Sequence, residues 1–399
     1  MKKGWATKTL GEVLQKTETV NPLQSPEAEF DYIDVSSVSN ATFKIEETQR
    51  LKGKDAPSRA RKLVRANDIL FATIRPTLQR IAVVPEHLDR QVCSTGYFVF
   101  RPKPGIDHRF VFYSLFTENF MGQMESLQRG ASYPAVTDGD VKAQMIPIPP
   151  LPEQQRIVGI LDEAFEGIAT AKANAERNLH NACAIFESHL DSVFTQRGKG
   201  WVEKRLDDVC VIGDGNHSSN YPKKEEMVAE GVPFIRATNL VAGLISGDDM
   251  RFLSPEKHAQ LKKGHLKTGD VLFTNRGEIG NTAIVDSDYD NANLNSQIAW
   301  LRCCDEMNNR FLFHILNSGE MKAHFQSSKN GAALQQFTIR QLKELKLPVP
   351  PKNEQRVIVT KIDSLATETR RLESIYQQKL AALDELKKSL LYQAFTRQL

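Results

Sequence analysis

The side chains able to do chemistry are spread along this chain rather than gathered. Its nine histidines, His87, His108, His180, His189, His217, His258, His265, His314 and His324, form no H-E-x-x-H. No Cys/His group has zinc spacing. The five cysteines, Cys93, Cys183, Cys210, Cys303 and Cys304, include no C-x-x-C pair and are odd in number. That fits buried thiols in a reducing cytoplasm. There is no G-x-x-x-x-G-K-[ST] loop to cradle phosphates and no G-x-S-x-G elbow to present a serine. Gly213-Asp214-Gly215 and Gly277-Glu278-Ile279-Gly280 read as turn glycines, because a dinucleotide fingerprint needs G-x-G-x-x-G between strand and helix. Asn21-Pro22-Leu23 does not complete the Asn-Pro-Pro-aromatic signature of an adenine methyltransferase. Glu344-Leu345-Lys346 and Glu385-Leu386-Lys387 match only the tail of a nuclease E-x-K, a triplet that often arises by chance. No catalytic, cofactor or metal site is expected in this chain.

What the chain does carry is one stretch written twice. Residues 146–162 read IPIPPLPEQQRIVGILD and residues 347–363 read LPVPPKNEQRVIVTKID. At an offset of 201 the identities are Pro147, Pro149, Pro150, Glu153, Gln154, Ile157, Val158 and Asp162. Solenoid repeats run about 20–50 residues. A longer offset means duplication of a whole domain. Smaller echoes agree. Trp5, Leu10 and Val13 share the spacing of Trp201, Leu206 and Val209. Residues 67–75 answer 269–277 as a turn leading into a buried strand that ends at an Arg. Residues 109–115 answer 310–316 as a helix start, with Asp107 or Asn308 available as its cap. Both halves are expected to be mixed α/β.

Each copy of the Pro-rich stretch is expected to be a stiff connector, because a residue before proline is pushed to extended backbone. Helix follows from near Glu153 to Thr195, and from near Glu354 to Arg397. Apolar residues recur three and four apart through Ile157, Leu161, Phe165, Ile168, Ala175, Leu179, Ala182, Phe186, Leu190 and Val193 in the first. In the second they run through Ile358, Ile362, Leu365, Leu372, Tyr376, Leu383, Leu386 and Leu390. About 40 residues at 1.5 Å each give roughly 60 Å. Such stripes need partners, and the simplest arrangement pairs the two helices as an antiparallel coiled coil. The fold class is therefore mixed α/β: two duplicated α/β domains separated by two long helices. The boundaries are 1–147, 148–197 (helical spacer), 198–347 and 348–399 (second spacer).

Composition bounds the partners. Net charge is +3, and 40% of residues are apolar. No apolar run approaches the roughly 18 residues of a membrane span. The opening lysines have no apolar stretch after them, so no secretory signal and a cytoplasmic protein are expected. No segment has the strong basic bias of a lone nucleic-acid binder, so DNA binding would rest on local patches or on partner proteins.

The duplicated P-x-P-P-…-E-Q-x-x-I-V core in 147–158 resembles the opening of the conserved helical regions in specificity subunits of type I restriction–modification enzymes. The match extends to 348–359, to the two G/N-D-[IV]-L-F elements, and to the Gly loops before Thr137 and Thr338. It covers essentially the whole chain in family order. The second copy departs at Lys352, Asn353, Arg356 and Val357. The resemblance implies that each variable segment is a target-recognition domain reading one half of a split, asymmetric DNA sequence. It implies that the helices set the gap and dock two modification subunits, which carry S-adenosylmethionine and methylate adenine. A restriction subunit using ATP and Mg would complete the nuclease, and this chain would catalyse nothing.

Base edges are matched by Arg, Asn, Gln, Ser and Thr on loops. That selects Arg75, Arg129, Ser132 and Tyr133 in the first half. In the second half it selects Arg236, Asn239, Asn275, Arg276, Asn295, Gln297, Lys329, Asn330, Gln335 and Gln336. Two other classes compete: a stand-alone DNA-modifying or DNA-cleaving enzyme, and a coiled-coil scaffold that does not bind DNA.

Overall fold

The computed structural model describes residues 4–217, 221–327 and 336–399. The chain forms two compact units, Met1–Glu176 with Gln378–Leu399, and Arg177–Gln377. Each unit therefore takes part of both long helices.

In the first unit a three-stranded antiparallel sheet has Ile69–Ala72 at its centre, between Ile81–Val83 and Tyr97–Phe100. All four central residues are buried. Successive side chains on a strand point to opposite faces. Accordingly Ile69, Phe71, Phe98 and Phe100 join a core that includes Ile157, Leu161 and Leu391 from the long helices. Leu70, Ala72, Tyr97 and Val99 face a second core that contains no long-helix residue. An outer four-stranded sheet covers that second core, with one parallel pairing, Tyr32 opposite Val92.

The second unit repeats the plan. Val271–Thr274 lies between Thr282–Ile284 and Ile298–Cys303, and the strand Cys210–Asp214 extends the sheet. Val271 and Phe273 meet a core containing Leu190, Phe194, Val359 and Ile362, while Leu272 and Ile298 face the other way. The parallel pairing recurs as Phe234 opposite Asn293.

The Pro-rich stretches differ in part from expectation. Met145–Ile148 is a strand paired with Ala6–Thr9, and Lys346–Val349 pairs with Val202–Arg205. A two-stranded ribbon has a free edge, where a proline without N–H removes no ladder bond. The helices then start slightly earlier than expected, Leu151–Thr195 and Lys352–Phe395. Pro152 is no obstacle, because first-turn N–H groups have no helical partner anyway.

The helix segments run antiparallel within each unit. In the first, Lys172 meets Asp384 at 2.6 Å and Arg156 donates to the Leu399 carbonyl at 3.0 Å. In the second, Cys183 Sγ lies 3.1 Å from Glu373 Oε1. Every residue of the first stripe is at least partly buried. The second stripe needs correction: Leu372 and Leu386 are exposed, at 40% and 46%. Ile362 of that stripe is buried, and the buried row also takes in Val359, Thr369, Leu391 and Ala394. Leu386 follows Leu383 by three and precedes Leu390 by four, so spacing admits it. One residue turns the helix by about 100°, so a neighbouring row fits the same spacing.

Candidate nucleic-acid interface

The duplicated charges are structural. Asp68, 2% exposed, takes a two-pronged ion pair from Arg101 at 2.9 and 2.7 Å and accepts the Arg65 N–H at 2.8 Å. Asp270, 1% exposed, repeats this with Arg302 at 2.8 and 2.7 Å and the Lys267 N–H at 2.9 Å. A buried carboxylate is tolerable only when paired and bonded in this way. Arg101 also reaches Glu18, and that bond, followed by one from Arg65, holds the Glu18 carboxyl down at about 2.

The repeated glutamine and aspartate dock each domain on its own helix. Gln154 and Gln355 are buried and bond the backbone at the caps of the domain helices, Asp107 and Asn308. Those caps hold the first turns: Asp107 accepts the Arg109 and Phe110 N–H groups, and Asn308 accepts those of Arg310 and Phe311. Asp162 takes Arg109 at 2.7 Å and the Tyr113 hydroxyl. Asp363 takes Arg310 at 2.6 and 2.8 Å and His314 at 2.7 Å. Both glutamates of the E-x-K triplets, and the lysine of the first, form ordinary ion pairs. Glu344 pairs with Arg340, Lys346 with Glu203, and Lys388 with Glu385.

In the first unit, Thr73 leaves the central strand and its carbonyl accepts the Val136 N–H at 3.0 Å. Ile74 bridges Ala135, and Arg129 bridges Ala135 in turn. This lacing brings Arg75, Arg129, Ser132 and Tyr133 together. Arg75 donates to the Ser132 carbonyl at 3.2 Å, and its guanidinium lies 5.2 Å from the centre of the Tyr133 ring. Tyr133 is 72% exposed. Arg129 pairs with Asp140 at 3.2 Å. Arg75 is not the strand's last residue but begins a tight turn, Pro76–Leu78, flanked by two left-handed residues, Arg75 (φ 50°) and Gln79 (φ 53°). Sequence reasoning passed over Leu78, which is exposed, and Gln79; Pro76 was the available signal, because proline pre-sets such turns.

In the second unit the same lacing carries different letters. The Asn275 carbonyl accepts the Phe337 N–H, its own N–H reaches the Gln297 carbonyl at 2.9 Å, and Arg276 bridges Gln336. The Asn295 side chain bonds Gln297 through both its amide atoms, at 3.1 and 3.2 Å. The Asn295 N–H meets the Ile235 carbonyl, beside Arg236. Gln297 and Gln336 are exposed, and Arg236 and Arg276 half-buried. Asn239, Asn275 and Asn295 are buried. Asn239 accepts the Arg236 N–H and donates to the Ser246 and Asp248 carbonyls, so its amide shapes a turn. Arg236 reaches the Asp249 carboxylate at 2.7 Å. Among the described residues Asn275 Oδ1 and the Nε atoms of Arg236 and Arg276 have no partner. Lys329, Asn330 and Gln335 lie outside the described residues.

The two turns hold exposed or half-buried hydrogen-bond donors and acceptors, among them Arg75, Tyr133, Arg276, Gln297 and Gln336. Among the described residues no three His, Cys, Asp or Glu side chains gather as metal ligands, and no helix is long and apolar enough to cross a membrane.

Comparison with known proteins places this double frame in a class of duplicated DNA-specificity proteins. The family model of the type I restriction modification DNA specificity domain matches residues 2–177 and again 198–381, and the chain belongs to that family. It is 24% identical over 277 residues to the EcoBI specificity subunit of Escherichia coli, covering 64% of this chain and 58% of that one. With the EcoKI specificity subunit of E. coli K12 it shares 22% over 324 residues, 77% of this chain and 69% of that one. A chain from a structure on complex assembly and conformational transition of the type I R-M system superposes with a TM-score of 0.87 at 29% identity, covering 100% of this chain and 99% of that one. The HsdS subunit of Thermoanaerobacter tengcongensis does so at 0.70 and 30%, over 100% and 98%.

Proposed function

We propose that this chain is the non-catalytic specificity subunit of a type I restriction–modification complex, and that each α/β domain reads one half of a bipartite, asymmetric DNA target. One observation carries the reading. Both units build the same laced turn on the same docked frame, yet one offers Arg75, Arg129, Ser132 and Tyr133 while the other offers Asn275, Arg276, Gln297 and Gln336. A shared scaffold with different polar side chains suits two different half-sites. Arg236 and Asn295 support the second turn, and Lys329, Asn330 and Gln335 belong to the same proposed face. The segments 1–147 and 198–347 act as readers. Segments 148–197 and 348–399 set the gap and dock two modification subunits. S-adenosylmethionine belongs to those subunits, ATP and Mg to a restriction subunit, and the complex works on chromosomal DNA in the cytoplasm.

The test is methylome sequencing of a host expressing this chain with its modification subunits. One split motif with two unlike halves is expected; no motif sinks the reading. Purified chain alone, given labelled S-adenosylmethionine and DNA, should transfer no methyl groups. Substantial transfer would favour the stand-alone enzyme.

A further inference from the structure

The outer layer of the first unit has its own core, without any residue of the long helices. It is joined to the helix pair chiefly through the thin central sheet, whose other face carries the helix-bound core. One loop of that layer makes a separate contact. Val38 bridges Ile45, and the loop between them presents Phe43. Phe43 stands in left-handed backbone, φ 56°, which a bulky side chain adopts only when its surroundings impose it. Its ring packs edge-on against Phe116 at 4.7 Å.

The ammonium of Lys387, on the second long helix, lies 4.9 Å from the centre of the Phe43 ring, 5.3 Å from Phe165 and 6.0 Å from Phe116. Among the described residues it has neither an ion-pair nor a hydrogen-bond partner; the neighbouring Asp384 is taken by Lys172. Burial pushes its pKa down, helped by the Lys172 charge and opposed by Asp384. Three ring faces are what remains to stabilise the charge, and a partly desolvated cation gains most from them. At the offset of 201 the second unit has Phe186 in this place, uncharged and packed against its core.

We infer that Lys387 is a positioning residue for the first reader: its ammonium, caged by Phe43, Phe116 and Phe165, fixes the outer layer on the helix pair and so fixes the gap at which the first half-site is read. This rests on the function proposed above. The cage acts on spacing and leaves base contacts alone, because none of its members belongs to the laced turn.

Lys387→Met keeps the apolar stem and removes the charge, whereas Lys387→Arg keeps a charge that can stack on the rings. Each would be assembled with the modification subunits and offered duplexes whose gaps are the natural length or one base pair shorter or longer. Wild type and Lys387→Arg should methylate only the natural gap. Lys387→Met should accept a neighbouring gap with discrimination reduced by about tenfold, with both half-site sequences unchanged. A uniform loss over all gaps, or unchanged discrimination, would overturn the inference. Hydrogen exchange of the backbone amides in 39–46, on the purified chain, reads the clamp without DNA. Lys387→Met should exchange there faster than wild type and Lys387→Arg should not; equal rates in all three would overturn the clamp. If wild type itself methylates no split motif, the proposed function fails, and the exchange result still decides whether the cage holds the loop.

Discussion

The Gln154 side-chain oxygen accepts the backbone N–H of Asp107 at 2.8 Å, while its amide nitrogen donates to the Pro149 carbonyl at 2.8 Å. One buried side chain thus ties the Pro-rich strand, the start of the long helix and the cap of the domain helix. Gln355 repeats it, bonding the Asn308 N–H at 2.7 Å and the Pro350 and Glu306 carbonyls at 3.0 and 2.9 Å. The duplicated glutamine is a joint, made once in each unit.

Gln355→Leu should strand those three backbone groups without partners. Each unsatisfied buried group costs about 1–3 kcal/mol. The variant should lower the unfolding free energy of the second unit by about 2–4 kcal/mol, allowing for partial rehydration. Urea unfolding followed by fluorescence suits the measurement, because Trp201 and Trp300 both lie in that unit. An unchanged midpoint would show that the joint does not hold the domain.

Arg75→Ala and Tyr133→Ala should weaken recognition of one half-site only. A good contact to a base edge is worth about 1–3 kcal/mol of discrimination. Competition binding by the assembled complex, against duplexes altered in one half at a time, would show relaxed preference in the first half and none in the second. Equal weakening on every duplex would instead mark Arg75 as a phosphate contact.

Acidification should weaken the second unit before its carboxylates titrate. Burial pushes the His314 imidazole below its ordinary value, despite the bond to Asp363, and burial lowers His258 as well. Asp363 is already paired with Arg310, so a second cation there gains little. A folded pKa below the unfolded value of about 6.5 means that the unfolded chain takes up protons first. Stability from these groups is complete above that value and falls as pH drops from it toward the folded value. Tm should therefore decline as pH falls below about 6.5. His314→Gln keeps a donor for Asp363 and should show a shallower decline; an identical slope would exclude His314 as the cause.

Inserting four residues near Ala171–Ala175 should lengthen the first helix by about 6 Å and nearly complete a turn. Base pairs rise about 3.4 Å, so the unspecific gap in the methylated motif should grow by one or two base pairs. Both half-sites should be retained. An active variant with an unchanged gap would mean that the helix does not measure distance.

The amino-acid sequence alone determined the duplication, the two long helices, the buried strands 69–72 and 271–274, and the Asp107 and Asn308 caps. These rest on local signals: an identical stretch, apolar spacing, a turn before a strand, and a short polar side chain ahead of a helix. It also determined the family, because the joint residues recur in order. Only the tertiary structure decided what the repeated polar residues do. Asp68 and Arg101 are 33 positions apart, and Gln154 and Asp107 are 47 apart. Nothing local distinguishes a buried partner from a solvated charge. The same limit applied to the helix seam, where Leu386 fits the spacing but faces solvent, and to Asn239, a loop residue spent on its own turn. Periodicity gives the angle between residues on one helix; which row is buried depends on the element packed against it, and that is settled only when the chain has folded.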